Sequence, residues 1–490
     1  VEIYSASNYG EELEGAILEG EITADENGVF SFDKGELFNG PHLTSRTTNL
    51  HSRESIYYSY PLTTGTENNL VIQAGNQLPR QLYLLEPPVE LADNHLANQY
   101  PGIGYSEDRS DFTYIYSHGI SRARVSISGM EPEEVDWTKP EFSISQDQIE
   151  HFDRLASNNI IVTYVLMFWD KENYPGGEGL PCARFLTEEE IERWLEYVRF
   201  TVEELKDYVD YFEIWNEPDI QNYCPKWIML DNYINLIKRT APVIREVDPE
   251  ARIVVGAVSK TYYPEAQNYL FGILESDVMP LIDVISFHPL YGESPKYNHE
   301  RDYYYSYPDF LQRIMDTAAA NGFTGEFHAD EVGWTSQPSG GQSGEFSLIE
   351  SNKYFLRAVM MHRGMSVDLG LRGGYYTIRR VTNLMAGVEP AELSVEIDSQ
   401  ASKIMSYTFN TVEGDRLIAV WTNGVAVEND PGIKGTITIT DFAASDVVVI
   451  DLLNNLEQDL VFETLEGNLV IDNLLIRDDP LIIKLTAGVP

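Results

Sequence analysis

The hydrophobic pattern divides the chain into three parts. Residues 1–92 show short alternating runs separated by turn residues, such as 28–38 and 68–87, a pattern typical of β-strands. From 93 to 395, apolar runs of strand length alternate with segments of helical period. Alternating strands return at regular spacing over 396–490, as in a β-sandwich. We therefore predict an N-terminal β-rich domain or layer, a central α/β domain and a C-terminal β-sandwich.

The central part contains eight predicted strands, which are β-branched and nearly continuous in apolarity, as strands buried on both faces should be. They lie at 102–106, 120–128, 159–168, 208–215, 252–259, 281–288, 324–331 and 371–378. The clear helical patterns lie at 145–159, 187–208, 231–247, 310–322 and 347–364. This alternation predicts a (β/α)₈ TIM barrel. An open doubly wound sheet is the alternative, but its phosphate-binding first turn is absent.

The composition and the absence of known motifs limit the partners and cofactors that this chain can bind. The chain has 34 Lys+Arg against 78 Asp+Glu, a net charge of −44, which disfavours nucleic acid and anionic membranes as partners. Aromatic residues make up 12%, which suits a protein that stacks on sugar faces. No metal-ligand spacing, Walker loop or dinucleotide-binding glycine motif occurs, so we predict neither metal nor cofactor. No apolar run reaches membrane-spanning length. The charge is compatible with an extracellular or cell-surface location.

The two cysteines, Cys182 and Cys224, lie after the third and fourth predicted strands. Neighbouring loops on one face of a barrel can bring two cysteines within disulfide range, so we predict a bridge between them. Two free thiols are the alternative. A bridge would also indicate an oxidising compartment.

Two glutamates end predicted strands. Glu217 follows Asn216 in FEIWNEPDI (212–220), and Glu331 occurs in FHADEVGW (327–334). In a barrel these acids would end the fourth and seventh strands and face each other at the mouth. Two carboxylates placed there could hydrolyse a glycosidic bond, one as a proton donor and the other as a nucleophile or base. Asp330, beside Glu331, is the alternative functional acid.

The WNEP stretch (215–218), the acid in DEVGW (330–334) and DVISFHPLY (283–291) resemble clan A of the glycoside hydrolases. The resemblance covers about residues 95–395, is greatest to family 39 and is weaker to family 5. It implies retention of configuration, with Glu217 as acid/base and Glu331 as nucleophile. It further implies that Asn216 holds the 2-hydroxyl and that His288 and Tyr291 line the site. An arginine of the second strand, Arg124 rather than Arg122, would keep the nucleophile ionised.

Aromatic residues are the remaining candidates for sugar contacts. Trp169, Trp334 and Tyr376 are predicted to contact substrate, although each could instead be core packing, and Tyr375 competes with Tyr376 for the eighth-strand platform. The segment 291–308 carries Tyr303, Tyr304, Tyr305 and Tyr307, which would form stacking platforms if it is a loop or anchors if it packs on the barrel.

These features predict a retaining β-glycoside hydrolase acting on a carbohydrate. A carbohydrate-binding pseudo-enzyme and a structural cell-surface protein are the alternatives. Release of a chromophore from aryl β-glycosides would distinguish the first from the second, and a structural protein would show no dependence on sugar.

Overall fold

The computed structural model describes the ranges 2–6, 17–21, 42–48, 55–61, 82–84, 103–106, 112–125, 142–167, 183–221, 226–334 and 346–487. Within these ranges, every helix is too short or too polar to cross a membrane. Cys182, Cys224, Trp169 and most of the predicted strands at 28–38 and 68–87 lie outside them.

The centre of the molecule is a closed barrel of eight parallel strands, as the sequence predicts. The strands are β6 (Ile103–Ser106), β7 (Arg122–Val125), β8 (Ile161–Leu166), β9 (Tyr211–Ile214), β10 (Arg252–Val258), β11 (Val284–Phe287), β12 (Glu326–Val332) and β13 (Asp368–Leu371). They pair in chain order, and β13 closes the barrel against β6 through Leu369 and Ile103.

A helix follows each barrel strand. The helices are α1 (Phe112–Ser117), α2 (Gln146–Ser157), α3 (Glu188–Leu205), α4 (Leu230–Val247), α5 (Pro264–Leu274), α6 (Arg301–Ala320), α7 (Leu348–Gly364) and α8 (Ile378–Met385). Side-chain caps set the N-termini of several helices. Ser145 and Ser347 each form a capping box, and Thr187 accepts a hydrogen bond from the Glu190 amide. Proline at 264 begins α5.

Two predictions in the barrel are wrong. The eighth strand is Asp368–Leu371 rather than 371–378, because Gly373 adopts a φ of 99° and ends the extended chain before the Tyr-Tyr pair. The tyrosines at 303–307 do not lie in a loop, since α6 begins at Arg301. Tyr304 and Tyr307 are buried in that helix, so they anchor it and do not serve as sugar platforms.

Two antiparallel sheets follow the barrel. One has the order β14-β16-β17-β23-β19-β20-β5, in which β5 is Leu82–Leu84, and the other has the order β15-β18-β22-β21. Their strands are β14 (Glu389–Pro390), β15 (Val395–Ser399), β16 (Ile404–Asn410), β17 (Arg416–Thr422), β18 (Ile433–Ile439), β19 (Ala444–Asp451), β20 (Leu456–Asp459), β21 (Glu463–Leu465), β22 (Asn468–Ile476) and β23 (Leu481–Ala487). Apolar residues of both sheets form one buried cluster, the core of a β-sandwich.

The N-terminal part forms a separate sheet in the order β2-β1-β3-β4, built from β1 (Glu2–Ala6), β2 (Ile17–Glu21), β3 (His42–Thr48) and β4 (Ser55–Pro61). One further strand, β5 (Leu82–Leu84), pairs with β20 at the edge of the C-terminal sandwich. The first 92 residues therefore contribute to two sheets. The domain limits at 92 and 395 stay predictions.

Helix α7 is buried on almost every side because it lies between the barrel and the sandwich. Lys353 of this helix donates to the carbonyl of Val427 over 2.7 Å and forms an ion pair with Asp478, with both side chains at most 4% exposed. Arg357, one turn later, donates to the carbonyls of Asp478 and Gly424. Buried charges thus join the sandwich to the barrel.

We expect Lys353→Met to lower the free energy of unfolding by about 3–5 kcal/mol, because it leaves the carboxylate of Asp478 buried without its ammonium partner. Lys206→Met is the matched control, since Lys206 pairs with Glu203 on an exposed helix surface. Urea unfolding of both variants tests this. Equal midpoints would show that the buried pair contributes no more than a surface pair.

Candidate active site

The backbone at the end of β9 turns sharply and presents Asn216 and Glu217 at the barrel mouth. Trp215 and Glu217 have φ values of 70° and 52°, a conformation that is uncommon for residues other than glycine. Backbone hydrogen bonds hold it: the Trp215 amide donates to the carbonyl of Leu166 and the Glu217 amide to that of Ala257. The Trp215 side chain is fully buried. Strained backbone of this kind concentrates at functional sites.

The structure brings Glu217 and Glu331 together. Glu331 lies on β12, beside an irregularity of register between Ala329 and Val332. Carboxylate oxygens of the two glutamates and a ring nitrogen of His288 all lie within 4.8 Å of one another. The side chains of Glu217 and Glu331 are 19% and 11% exposed, so both are largely shielded from water yet open to the barrel mouth.

His288, which follows β11, connects the acids. Its Nδ1 lies 3.3 Å from Glu217 Oε1 and 3.9 Å from Glu331 Oε2, and its Nε2 lies 3.3 Å from Asp330 Oδ1. Burial alone would lower the pKa of this imidazole, but the surrounding carboxylates of Glu331, Asp330 and Glu217 raise it to about 10. The acids thus favour the protonated imidazole, with Nδ1 toward Glu217 and Nε2 toward Asp330.

Arg124 on β7 lies at the base of the site and donates hydrogen bonds to several of its acids. Its Nε and Nη2 donate to the two oxygens of Glu213 over 2.8 and 2.6 Å, Nη2 also donates to Asn216 Oδ1, and Nη1 donates to Glu331 Oε1 over 3.1 Å. Its Nε also lies 3.4 Å from Asp330 Oδ2. Arg122 lies deeper in the barrel and pairs with Asp368.

The charges of the acids differ. Burial would raise the pKa of Glu217, but the hydrogen bond from His288 and the Lys226 ammonium hold this pKa well below its usual range. Burial would likewise raise the pKa of Asp330, but Arg124 and His288 keep it low. Burial does raise the pKa of Glu213, to about 7, although Arg124 opposes it. In the free protein Glu217 is thus ionised.

Three residues of the site were missed in the sequence. Glu213 is fully buried in the middle of β9, and an acid inside an apolar strand was the signal that could have revealed it. Lys226 forms an ion pair with Glu217 Oε2, and Arg372, just after β13, lies 3.4 Å from Glu331 Oε1. Nothing in the local pattern marks these two, because both contacts depend on how loops close.

Two other residues predicted to contact substrate, Tyr291 and Trp334, differ in how far they are buried. Tyr291 is half-buried at the mouth, where its ring lies 5.2 Å from the Lys260 ammonium. Trp334 is 2% exposed, stacks on Tyr354 and donates its indole N–H to the carbonyl of Glu293. The prediction that Trp334 contacts sugar is therefore wrong, because it packs inside the protein.

The two tyrosines that follow β13 also differ from each other. Tyr375 is buried against Phe355, with the ring centroids 4.5 Å apart, so it packs in the core. Tyr376 is half-buried and has Arg380 over its ring. Its substrate contact stays a prediction.

Two groups of described residues have ligand atoms close enough to share a metal ion: Glu217, His288 and Glu331 at the mouth, and Glu326, His328 and Asp368 deeper in the barrel. The first already holds Lys226, Arg124 and Arg372 against its carboxylates, and the neighbouring acids raise the pKa of His288, which opposes its use as a neutral ligand. The second holds Arg122, Arg252 and Arg363. These cations neutralise the acids and would repel a metal ion, so neither group fits one.

Comparison with known proteins agrees with this architecture. The family profile described as "Glycosyl hydrolases family 39" matches residues 103–319, from β6 into the last turn of α6. The match ends before Glu331. A search of curated proteins finds no match to this chain.

Solved structures show the same fold. A family 39 glycoside hydrolase from Bacteroides cellulosilyticus WH2 has a TM-score of 0.60 at 14% identity, covering 91% of this chain and 88% of that chain. A bifunctional glucanase-xylanase from a metagenome library and a glucosidase from Croceicoccus marinus each have a TM-score of 0.51 at 11% identity. These two cover 79% of this chain, and 96% and 95% of their own. The resemblance to family 39 predicted from the sequence is thus confirmed: residues 103–319 match the profile of that family of glycoside hydrolases, and the chain has the fold of one of its solved members.

Proposed function

We propose that the protein is a retaining β-glycosidase that cleaves an oligo- or polysaccharide by double displacement. The observation that carries the proposal is the approach of the Glu217 and Glu331 oxygens to within 4.8 Å. Retaining enzymes hold their two carboxyl groups about 5–5.5 Å apart, whereas inverting enzymes leave about 6.5–9.5 Å for a water molecule. The close approach of the two carboxylates is compatible with direct attack by one of them.

The partners of each glutamate favour one assignment of roles. Glu331 accepts from Arg124 and lies beside Arg372, which stabilise a negative charge on the attacking group. We assign Glu331 as the nucleophile and Glu217 as the acid/base. Asp330 is held by Arg124 and His288, so in this proposal it keeps His288 protonated and oriented.

The reaction then runs in two steps. Glu331 attacks the anomeric carbon while protonated Glu217 gives its proton to the leaving oxygen, which forms a glycosyl ester and releases an alcohol. Water then attacks the same carbon, gives a proton to the Glu217 carboxylate and frees Glu331. Esterification removes the charge of Glu331, which lowers the pKa of Glu217 and suits it to act as the base in the second step.

One observation favours the alternative, a carbohydrate-binding protein without turnover. The ion pair with Lys226 keeps Glu217 ionised in the free protein, and an ionised carboxylate cannot donate a proton. Such a protein would bind glycans through the same mouth but release no product.

A screen of 4-nitrophenyl β-glycosides alongside a panel of polysaccharides separates the two functions. The proposal expects nitrophenol release from at least one sugar and defined products from a matching polymer. The variant with both Glu217→Ala and Glu331→Ala controls for background release. Glycan binding by the native protein without release of any product would establish the alternative.

A further inference from the structure

The position of Lys226 has a consequence for how the acid obtains its proton. We propose that Lys226 is a removable counter-ion of Glu217: its ammonium holds the carboxylate while the leaving-group side of the cleft is empty, and it moves away when Glu217 takes up the proton that cleavage requires. This inference rests on the proposed role of Glu217 as the acid.

The contact itself is direct. Lys226 Nζ donates to Glu217 Oε2, while His288 Nδ1 occupies the other oxygen, Oε1. Oε2 is therefore the oxygen available to carry the catalytic proton, and Lys226 occupies it. A carboxylate cannot keep this lysine hydrogen bond and donate a proton from the same position, so one must replace the other.

Hydrogen bonds hold the backbone from residue 226 to 228, so the side chain of Lys226 is the part that can move. The carbonyl of Lys226 accepts from the Trp215 indole over 2.8 Å, the carbonyl of Trp227 accepts from the Arg184 amide, and the Ile228 amide donates to the carbonyl of Pro218. Lysine carries its charge on a flexible four-carbon stem. Rotation of that stem removes the ammonium from Glu217 without opening the loop.

The side chain also has an exit toward water. Lys226 is 16% exposed and Glu217 19%, in contrast to Arg124 and His288, whose side chains are 10% and 2% exposed. An ammonium that reaches water is rehydrated when it leaves its partner, which reduces the cost of separation. The buried cations, by comparison, are fixed by several acids each.

The other charged groups near Glu217 do not supply a second removable partner. His288 approaches from β11 and is held by Glu331 and Asp330 as well. Asp219, on the same loop as Glu217, accepts hydrogen bonds from Ser259 and, being an acid, supplies no cation. Among the described residues that contact Glu217, Lys226 is therefore the cation whose removal changes its protonation without dismantling the site.

Removal of the Lys226 charge should move the pH profile of kcat/KM in one direction. The basic limb of kcat/KM reports loss of the proton from the acid in the free enzyme. A cation beside the acid favours its ionised form and places this limb at lower pH. Lys226→Met keeps the apolar stem and removes the charge, so we expect the limb to move to higher pH by about 1–3 units. Lys226→Arg, which keeps the charge, should stay near the native limb.

Leaving groups distinguish this role from a structural one. Phenyl glycosides need the acid in the first transition state, whereas 2,4-dinitrophenyl glycosides do not. The sugar is the one selected by the nitrophenyl screen. We expect the shift for the phenyl glycoside and no shift for the dinitrophenyl glycoside. Lys238→Met, which removes an outer-surface pair with Asp277, is the control and should leave both profiles unchanged. An unmoved limb for Lys226→Met, or equal shifts with both substrates, would overturn the inference.

A second experiment tests the role of Lys226 even if the protein proves not to be a glycosidase. If the native protein hydrolyses no glycoside, the glycosidase proposal fails, and carboxyl ¹³C NMR of glutamate-labelled protein still measures the charge of Glu217. Glu217→Gln assigns the signal. A midpoint that rises by at least about one pH unit in Lys226→Met, but not in Lys226→Arg, supports the counter-ion. Identical midpoints in all three proteins would refute it.

Discussion

Replacement of Glu331 by alanine is expected to abolish hydrolysis of every glycoside, a loss of at least about 10⁴-fold, because no other group can form the glycosyl ester. A good leaving group should not restore the rate, since the missing component is the nucleophile and not the proton. Azide should occupy the vacated space and attack the anomeric carbon directly. One displacement inverts configuration, so a β-glycoside should give an α-azide.

Asp330→Asn is the matched control because Asp330 is adjacent in sequence, buried and also paired with Arg124. It removes a charge from the same region but leaves the proposed nucleophile, so turnover should persist at a reduced level. Near-normal activity of Glu331→Ala together with loss of activity in Asp330→Asn would transfer the nucleophile to Asp330. Circular dichroism and melting temperature show whether each variant is folded.

Replacement of Glu217 by alanine is expected to fail differently. The nucleophile remains, so 2,4-dinitrophenyl glycosides should still form the glycosyl-enzyme, while phenyl glycosides should lose about 10²–10⁴-fold. The second step lacks its base, so the intermediate should accumulate and be visible by intact mass spectrometry. Azide needs no base, and its attack on the intermediate should give a β-azide after two inversions.

The opposite configurations of the two azide products separate the roles of the glutamates. The same anomer from both variants would contradict the division into nucleophile and acid/base. Equal loss with dinitrophenyl and phenyl substrates in Glu217→Ala would mean that Glu217 supplies something other than a proton. Glu213→Gln is unsuitable as a control here, because Glu213 holds Arg124 and the change would disturb Glu331 as well.

The barrel was predictable because its signal is repeated along the chain. Continuous β-branched runs such as 252–259 are buried on both faces, and the helices between them keep their period and caps. The eighth strand was misplaced because it is only four residues long and a Tyr-Tyr pair follows it. Helix α6 was predicted too short because Tyr303–Tyr305 and Pro308 resemble a loop, although a proline within a helix is tolerated where packing compensates.

The site was predictable only where strand ends carry unusual residues. Glu217 and Glu331 stand at such ends, and the structure places them side by side. The sequence does not distinguish a buried Trp334 from a cleft residue, because a large aromatic residue looks the same in sequence whether it packs or binds. Lys226 and Arg372 could not be predicted, since each reaches its glutamate from a loop whose path depends on the whole barrel.

The configuration of the first sugar released tests whether Glu217 and Glu331 act by double displacement. Proton NMR of the anomeric signal, recorded within the first minutes of hydrolysis of a β-glycoside that the enzyme accepts, gives this before mutarotation mixes the anomers. Double displacement releases the β-anomer first, and the α-anomer appears only later. Initial release of the α-anomer would mean a single displacement by water and would contradict it.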